Sequence, residues 1–177
     1  MQGPAEDYYK NRGVKMRGHF VRDTLHGPYA EYYENGEKSQ QCVYVMGVPD
    51  GLYRAWYANG LPKWSESYAE GQKSGPDTSF YETGKIESIF YFENDAKHGE
   101  AIYNHRNGNG WTRREYVRGR LSEITYMKNK TGRPLEIGTF DNDTGSGWVH
   151  VYNDDGILIA KDKYRKGLLR RTKELKK

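Results

Sequence analysis

Along this chain apolar and polar residues alternate in short runs that keep stopping at glycine. Leu52-Tyr53-Arg54-Ala55-Trp56 leads into Tyr57-Ala58-Asn59-Gly60, and Leu61-Pro62-Lys63-Trp64-Ser65-Glu66-Ser67-Tyr68 leads out of it. A period of two marks a half-buried strand, and Asn-Gly between two such runs is a strong hairpin signal. The block recurs as Tyr32-Tyr33-Glu34-Asn35-Gly36 and as Phe80-Tyr81-Glu82-Thr83-Gly84, at steps of 24 residues. The step continues to Gly108, Gly132 and Gly156, while Gly13 falls one residue off it, 23 before Gly36. Eight residues after each glycine of the series stands Tyr44, Tyr68, Phe92, Tyr116, Phe140 or Tyr164, and fifteen after stand Gly51, Gly75, Gly99 and Gly147. A fixed period of this length means a repeat architecture.

Each unit therefore reads as a strand such as Leu52 to Ala58, a type I′ turn at Asn59-Gly60, a strand Leu61 to Ala69 and a looser polar link Glu70 to Gly75. A type I′ turn needs positive φ at both central residues, which Asn and Gly tolerate best. The expected fold is all-β: an elongated antiparallel β-meander of about six to seven tandem 24-residue hairpins. Residues 1–7 form a leader, 8–167 a single repeat domain and 168–177 a basic tail, drawn as a short capping helix or a frayed end in preference to a basic arm for nucleic acid or anionic lipid. The stretch from Gly108 to Gly132 lacks the second glycine, with Glu at 123, and Asn109-Gly110 offers a competing turn. The fifth hairpin is thus expected to be the least regular.

A two-residue turn would set Tyr57 opposite Pro62. One face then carries Tyr53, Tyr57, Trp64 and Tyr68, with Tyr29, Tyr33, Tyr44, Tyr81, Phe90 and Phe92 as counterparts. The other carries Trp56 with Tyr32 and Phe80, and Trp111 further along. The richer face is expected to pack within the protein. Tyr32, Trp56 and Phe80 are left semi-exposed, either as packing between repeats or as a partner-binding stripe with Trp111, since exposed aromatics amid polar residues are what interfaces use.

Composition changes this picture in one respect. The hydrophobic fraction is 35% and mean hydropathy −1.04, values that would point to disorder but for an aromatic content of 14%. Disordered chains are poor in aromatics, so a thin sheet held by Tyr and Trp is the better reading. The 28 basic and 24 acidic residues interleave, giving +4, and before the tail no block of one sign points to nucleic acid. The single cysteine, Cys42, excludes an internal disulfide framework. Met1-Gln2-Gly3-Pro4 carries no export pattern, and Gln-Gly-Pro resembles the scar of a cleaved tag. A cytoplasmic chain is the expectation, or a periplasmic or envelope one if a leader preceded it.

No candidate chemistry survives inspection of spacing. His26 and His98 lie three repeats apart, which at about 4.8 Å per strand is about 29 Å, far beyond a shared metal. Asp141-Asn142-Asp143-Thr144-Gly145 lacks the closing Glu of a calcium loop, since position 152 is Tyr. Cys42 has no His near it, and no Gly-x-Ser-x-Gly or phosphate loop occurs. No cofactor, metal or catalytic role is expected.

The pattern Tyr/Trp/Phe-Tyr-x-x-Gly, an aromatic eight residues on and a polar loop ending in Gly resembles the MORN-repeat variant of bacterial YwqK-type antitoxins and immunity proteins. The resemblance covers roughly residues 8–167 and is most specific at Tyr32–Gly36, Trp56–Gly60 and Phe80–Gly84. It implies a non-enzymatic protein that binds and blocks a toxic effector; MORN modules are also linked to phospholipid binding and to dimeric scaffolds. Edge strands left open at the ends of a meander point to a homodimer.

Overall fold

The computed structural model describes residues 2–104, 110–128, 133–141, 144, 146–153, 155–166 and 168–175. Among them every regular element is a β-strand. The chain divides into two compact units, Met1–Ile86 and Glu87–Lys177. The first holds β1 (Gly3–Tyr8), β2 (Val14–Val21), the short β3 (Thr24–Leu25), β4 (Gly27–Tyr32), β5 (Lys38–Val45), β6 (Val48–Trp56), β7 (Pro62–Ala69) and β8 (Gln72–Phe80). Successive strands pair antiparallel, β2 taking β3 and then β4. The second unit continues with β9 (Ile86–Glu93), β10 (Ala96–Lys97), β11 (Gly99–Asn104), β12 (Gly110–Val117), β13 (Arg120–Lys128), β14 (Arg133–Asp141), β15 (Ser146–Tyr152), β16 (Leu158–Arg165) and β17 (Leu168–Glu174). It pairs in the same way. The β-meander expected from the repeat is what the chain forms.

Three details differ from expectation. Residues assigned to a leader belong to β1, which runs from Gly3 opposite Phe20 to Tyr8 opposite Val14. There Glu6 holds Arg17 Nε at 2.8 Å, and Lys15 lies 3.3 Å from Asp7. The basic tail is a strand rather than a helix: β17 pairs with β16 from Leu168 opposite Arg165 to Glu174 opposite Ala160. The backbone donors and acceptors along β16 decide this, because a sheet edge recruits chain more readily than a short isolated helix forms.

The turns are exchanged. At Glu70-Gly71, read as a loose link, Ala69 pairs directly with Gln72, and φ is 51° and 83° at the two turn residues. That is the two-residue turn with both φ positive. Met46-Gly47 (49°, 85°), Arg22-Asp23 (51°, 61°), Asn94-Asp95 (49°, 63°) and Arg118-Gly119 (48°, 77°) repeat it at steps of 24. At Asn59-Gly60 only Gly60 is left-handed, at 79°. Gly60 N–H donates to Tyr57 O at 2.9 Å and Tyr57 N–H to Leu61 O at 2.8 Å, closing a three-residue loop with a bulge. Ala55 consequently faces Trp64 while Trp56 faces Pro62, with Lys63 the extra residue. Tyr57 therefore does not oppose Pro62.

The aromatic row nevertheless forms. Tyr29 and Tyr44 meet edge-on at 5.7 Å, Tyr44 and Tyr53 at 6.4 Å, and Tyr53 and Trp64 at 4.9 Å. Cross-strand pairing puts the buried Cys42 and Ala55 on this same face, beside Tyr29 and Trp64. The core is thin: the largest fully buried side chain described is Val149. Tyr and Trp, packed edge to face along the sheet, supply the contact that Leu and Val supply in two-layered folds.

Candidate binding surface

The loop end of each hairpin is where the recurring motif acts. The second aromatic of the motif reaches one repeat ahead: the hydroxyl of Tyr9 donates to Tyr32 O at 2.6 Å, Tyr33 to Trp56 O at 2.7 Å, and Tyr57 to Phe80 O at 2.7 Å. The asparagine does two jobs. Asn59 Oδ1 accepts from Leu61 N–H at 3.0 Å, and its Nδ2 donates to Glu82 O at 3.2 Å. Asn35 does the same with Glu37 and Ala58. The motif is thus a strap tying each loop to the next, and Asn is there for its amide rather than for positive φ.

The first aromatic forms the candidate contact column. Tyr32, Trp56 and Phe80 end β4, β6 and β8 on the face opposite Cys42 and Ala55, and all three are half-buried. Arg17 lies over the Tyr32 ring at 5.9 Å, and Lys38 Nζ over the Trp56 ring at 5.7 Å. Cation and ring together give a surface that is sticky without being greasy. Beside Trp56 is a small recess of about 230 Å³ lined by Glu37, Lys38, Trp56 and Gly60. Trp111 lies on β12 in the second unit, opposite Asn104 and Met127. Its side chain, His105, the Asn109 turn residue, Gly108, Gly132 and the Asn142, Asp143 and Gly145 positions of the weak calcium resemblance lie outside the described residues.

On the packed face of the first unit a polar network replaces apolar contact. Lys73 Nζ lies 2.8 Å from both Glu66 Oε1 and Asp77 Oδ2. Burial disfavours its charged form, but the hydrogen bonds to Asp77 and Glu66 outweigh that and hold the ammonium well above its usual range. Tyr68 donates to Glu66 at 2.7 Å; burial, with that carboxylate, pushes its phenol up to about 12. This is structural cross-linking between β7 and β8.

The second unit has a less settled counterpart. In the 24-residue column running through Ser88, Thr112, Glu136 and Ala160, the first, second and fourth are buried. Glu136 therefore sits where the fold wants a small residue. Burial, reinforced by the Asp162 carboxylate and partly relieved by Arg114, raises its pKa. Among the described residues Asp162 Oδ1 and Arg114 Nε find no hydrogen-bond partner there, though both are buried.

Among the described residues no group of three or more His, Cys, Asp or Glu is placed to hold a metal. His26 and His98 lie at strand irregularities, where His26 N–H donates to His19 O and His98 N–H to Tyr91 O, both at 2.8 Å. Cys42 is buried, and burial raises its thiol pKa, which is the opposite of an activated nucleophile. No protein-family model matches this chain, and no curated protein matches it with significance.

Proposed function

We propose that this chain is a non-enzymatic binding protein that neutralises a toxic effector, in the manner of an antitoxin or immunity protein. It holds its partner through Tyr32, Trp56 and Phe80 of the first unit; Trp111 is a separate candidate contact on the second. The observation behind this reading is the half-buried aromatic column with cations laid over two of its rings. Such rings contribute to binding when a partner completes their desolvation. The effector class comes from the resemblance of the repeat, and the contact residues from the column.

The test is a rescue experiment. The protein encoded beside this chain's gene is expressed in a sensitive bacterium with and without this chain, followed by co-purification. Rescue with a stable complex is expected, and Trp56→Ala is expected to weaken the complex at least 10-fold, as loss of an interface tryptophan does. A harmless neighbour, or a toxic one that ignores this chain, refutes the effector reading. An intact complex with Trp56→Ala refutes the column.

A further inference from the structure

Charge that looks dispersed in sequence is gathered by strand pairing at the end of the second unit. Residues 158–177 hold nine of the 28 basic side chains but two of the 24 acidic ones, so this segment carries +7 and the preceding residues −3. Within β16, alternation puts Lys161, Lys163 and Arg165 on one face and Asp162 on the other. Pairing adds Lys173 beside Lys161 and Arg171 beside Lys163. On the neighbouring strand, His150 pairs with Lys161 and Trp148 with Lys163. Glu174 pairs with Ala160 and so falls on the opposite face. On the cationic side Asp141 lies at the far end of β14, where it accepts from Thr144 N–H at 2.7 Å, and the row that starts at Lys163 and Trp148 runs on through Thr139 to Glu123, Glu115 and Glu100, three to five strands from β16.

Repeat architecture does not require these cations. The residues 24, 48, 72 and 96 positions before Lys163 are Thr139, Glu115, Tyr91 and Ser67, and those before Arg165 are Asp141, Val117, Glu93 and Ala69. Guarding an open edge with charge would account for β17. It does not account for β16, which is paired on both sides.

Two recesses shape this face. One, of about 810 Å³, has the 44%-exposed Trp148 and 39%-exposed Ile137 in its lining, with Lys161 and Lys173. The other, of about 480 Å³, is lined by Lys163, Arg165, Lys166 and Arg170. Lys163 Nζ lies 5.5 Å from the Trp148 ring centroid. An aromatic ring set in a hollow and followed by cations about 7 Å apart along a strand is the arrangement that stacks a base and neutralises successive phosphates. A bilayer surface is flat and does not reach a ring in a hollow. A duplex keeps its bases stacked on each other.

We infer that this face binds single-stranded nucleic acid, with Trp148 as the stacking platform and Lys163, Arg165, Arg170, Arg171 and Lys173 along the phosphates. This goes beyond the effector-binding reading and uses none of its contacts.

The test is fluorescence anisotropy of a labelled 15-nucleotide oligothymidylate with the full chain. Five phosphate contacts at about 0.7 ions each predict a roughly 100-fold loss of affinity between 50 and 200 mM NaCl. Lys163→Glu with Arg171→Glu is expected to cost at least 10-fold and to flatten the salt slope by about 1.4. Trp148→Ala is expected to cost about 10-fold with the slope unchanged, and to abolish the quenching of tryptophan emission on binding. Lys10→Glu with Lys85→Glu makes the same change in net charge on the first unit and is expected to leave binding within 2-fold. Loss in that control equal to the loss at Lys163 and Arg171 overturns the assignment. So does binding of a duplex, of polyglutamate or of phosphatidylserine vesicles as tight as that of the oligonucleotide, or failure to bind the oligonucleotide at 50 mM NaCl.

Discussion

Tyr57→Phe isolates one strap. The substitution keeps the ring, and with it the packing and the Lys63 ammonium 5.8 Å away, and removes only the hydroxyl that donates to Phe80 O at 2.7 Å. That distance is the usual one for an O–H···O bond, and the ring is half-buried. The net contribution of such a bond is about 1 kcal/mol, because the carbonyl left behind finds water imperfectly. With a urea m-value of about 2 kcal/mol per molar, the midpoint falls by about 0.5 M. Tyr33→Phe removes the equivalent bond to Trp56 O, and the pair together is expected to cost about 2 kcal/mol, since each hydroxyl serves a different carbonyl. The assay is equilibrium urea unfolding followed by circular dichroism. Tyr91→Phe is the control, at a ring 46% exposed to solvent. If Tyr57→Phe and Tyr91→Phe unfold at the same urea concentration, the straps do not hold the repeats together.

Four further substitutions probe backbone conformation and buried charge. Gly71→Ala is expected to cost about 2–3 kcal/mol in urea unfolding: φ is 83° and the new Cβ would sit 3.0 Å from Val48 Cβ. Gly36→Ala, at φ 86° with nothing near, is expected to cost only about 1 kcal/mol. Arg12→Gly is expected to stabilise by about 0.5–1 kcal/mol, because Arg12 is exposed and held at φ 66°. Glu136→Gln is expected to raise the melting temperature at pH 7. A carboxyl whose pKa is raised on folding opposes folding once ionised, and that opposition is relieved as pH falls through the raised pKa. The gain from the substitution should therefore shrink on acidification, and a gain independent of pH refutes the assignment.

The repeat and its β character were legible because they depend on local chemistry: aromatic alternation and glycine at a fixed step. Turn type was not, because two devices share the same residues. Asn-Gly signals a two-residue turn, yet here Asn59 uses its amide to tie two loops together. The actual two-residue turns were hidden because the column of Asp23, Gly47, Gly71, Asp95 and Gly119 mixes two residue types, both tolerant of positive φ. The off-step Gly13 has a related origin. Arg12, in step with Gly36, takes the left-handed position itself, and its N–H donates to Tyr9 O at 2.9 Å. Which residues form the candidate column was readable, since Tyr32, Trp56 and Phe80 share a strand-end position. The cationic face was not, because it depends on which residue of β17 lies opposite which residue of β16, and the bulge at Arg170 sets that register.

The straps also give the first unit a direction. Each hydroxyl reaches from one loop to the loop that follows it, 23 residues on, and so do the asparagine amides. Pulled by its two ends, a meander of this kind loads its rungs one at a time, like a zipper, rather than in parallel. The rupture force is therefore set by a single rung with its strap, and extension should proceed in steps of one hairpin. A protein built this way resists heat or urea through the sum of its rungs and resists tension through only one of them, so a translocase or protease that grips an end meets little mechanical opposition.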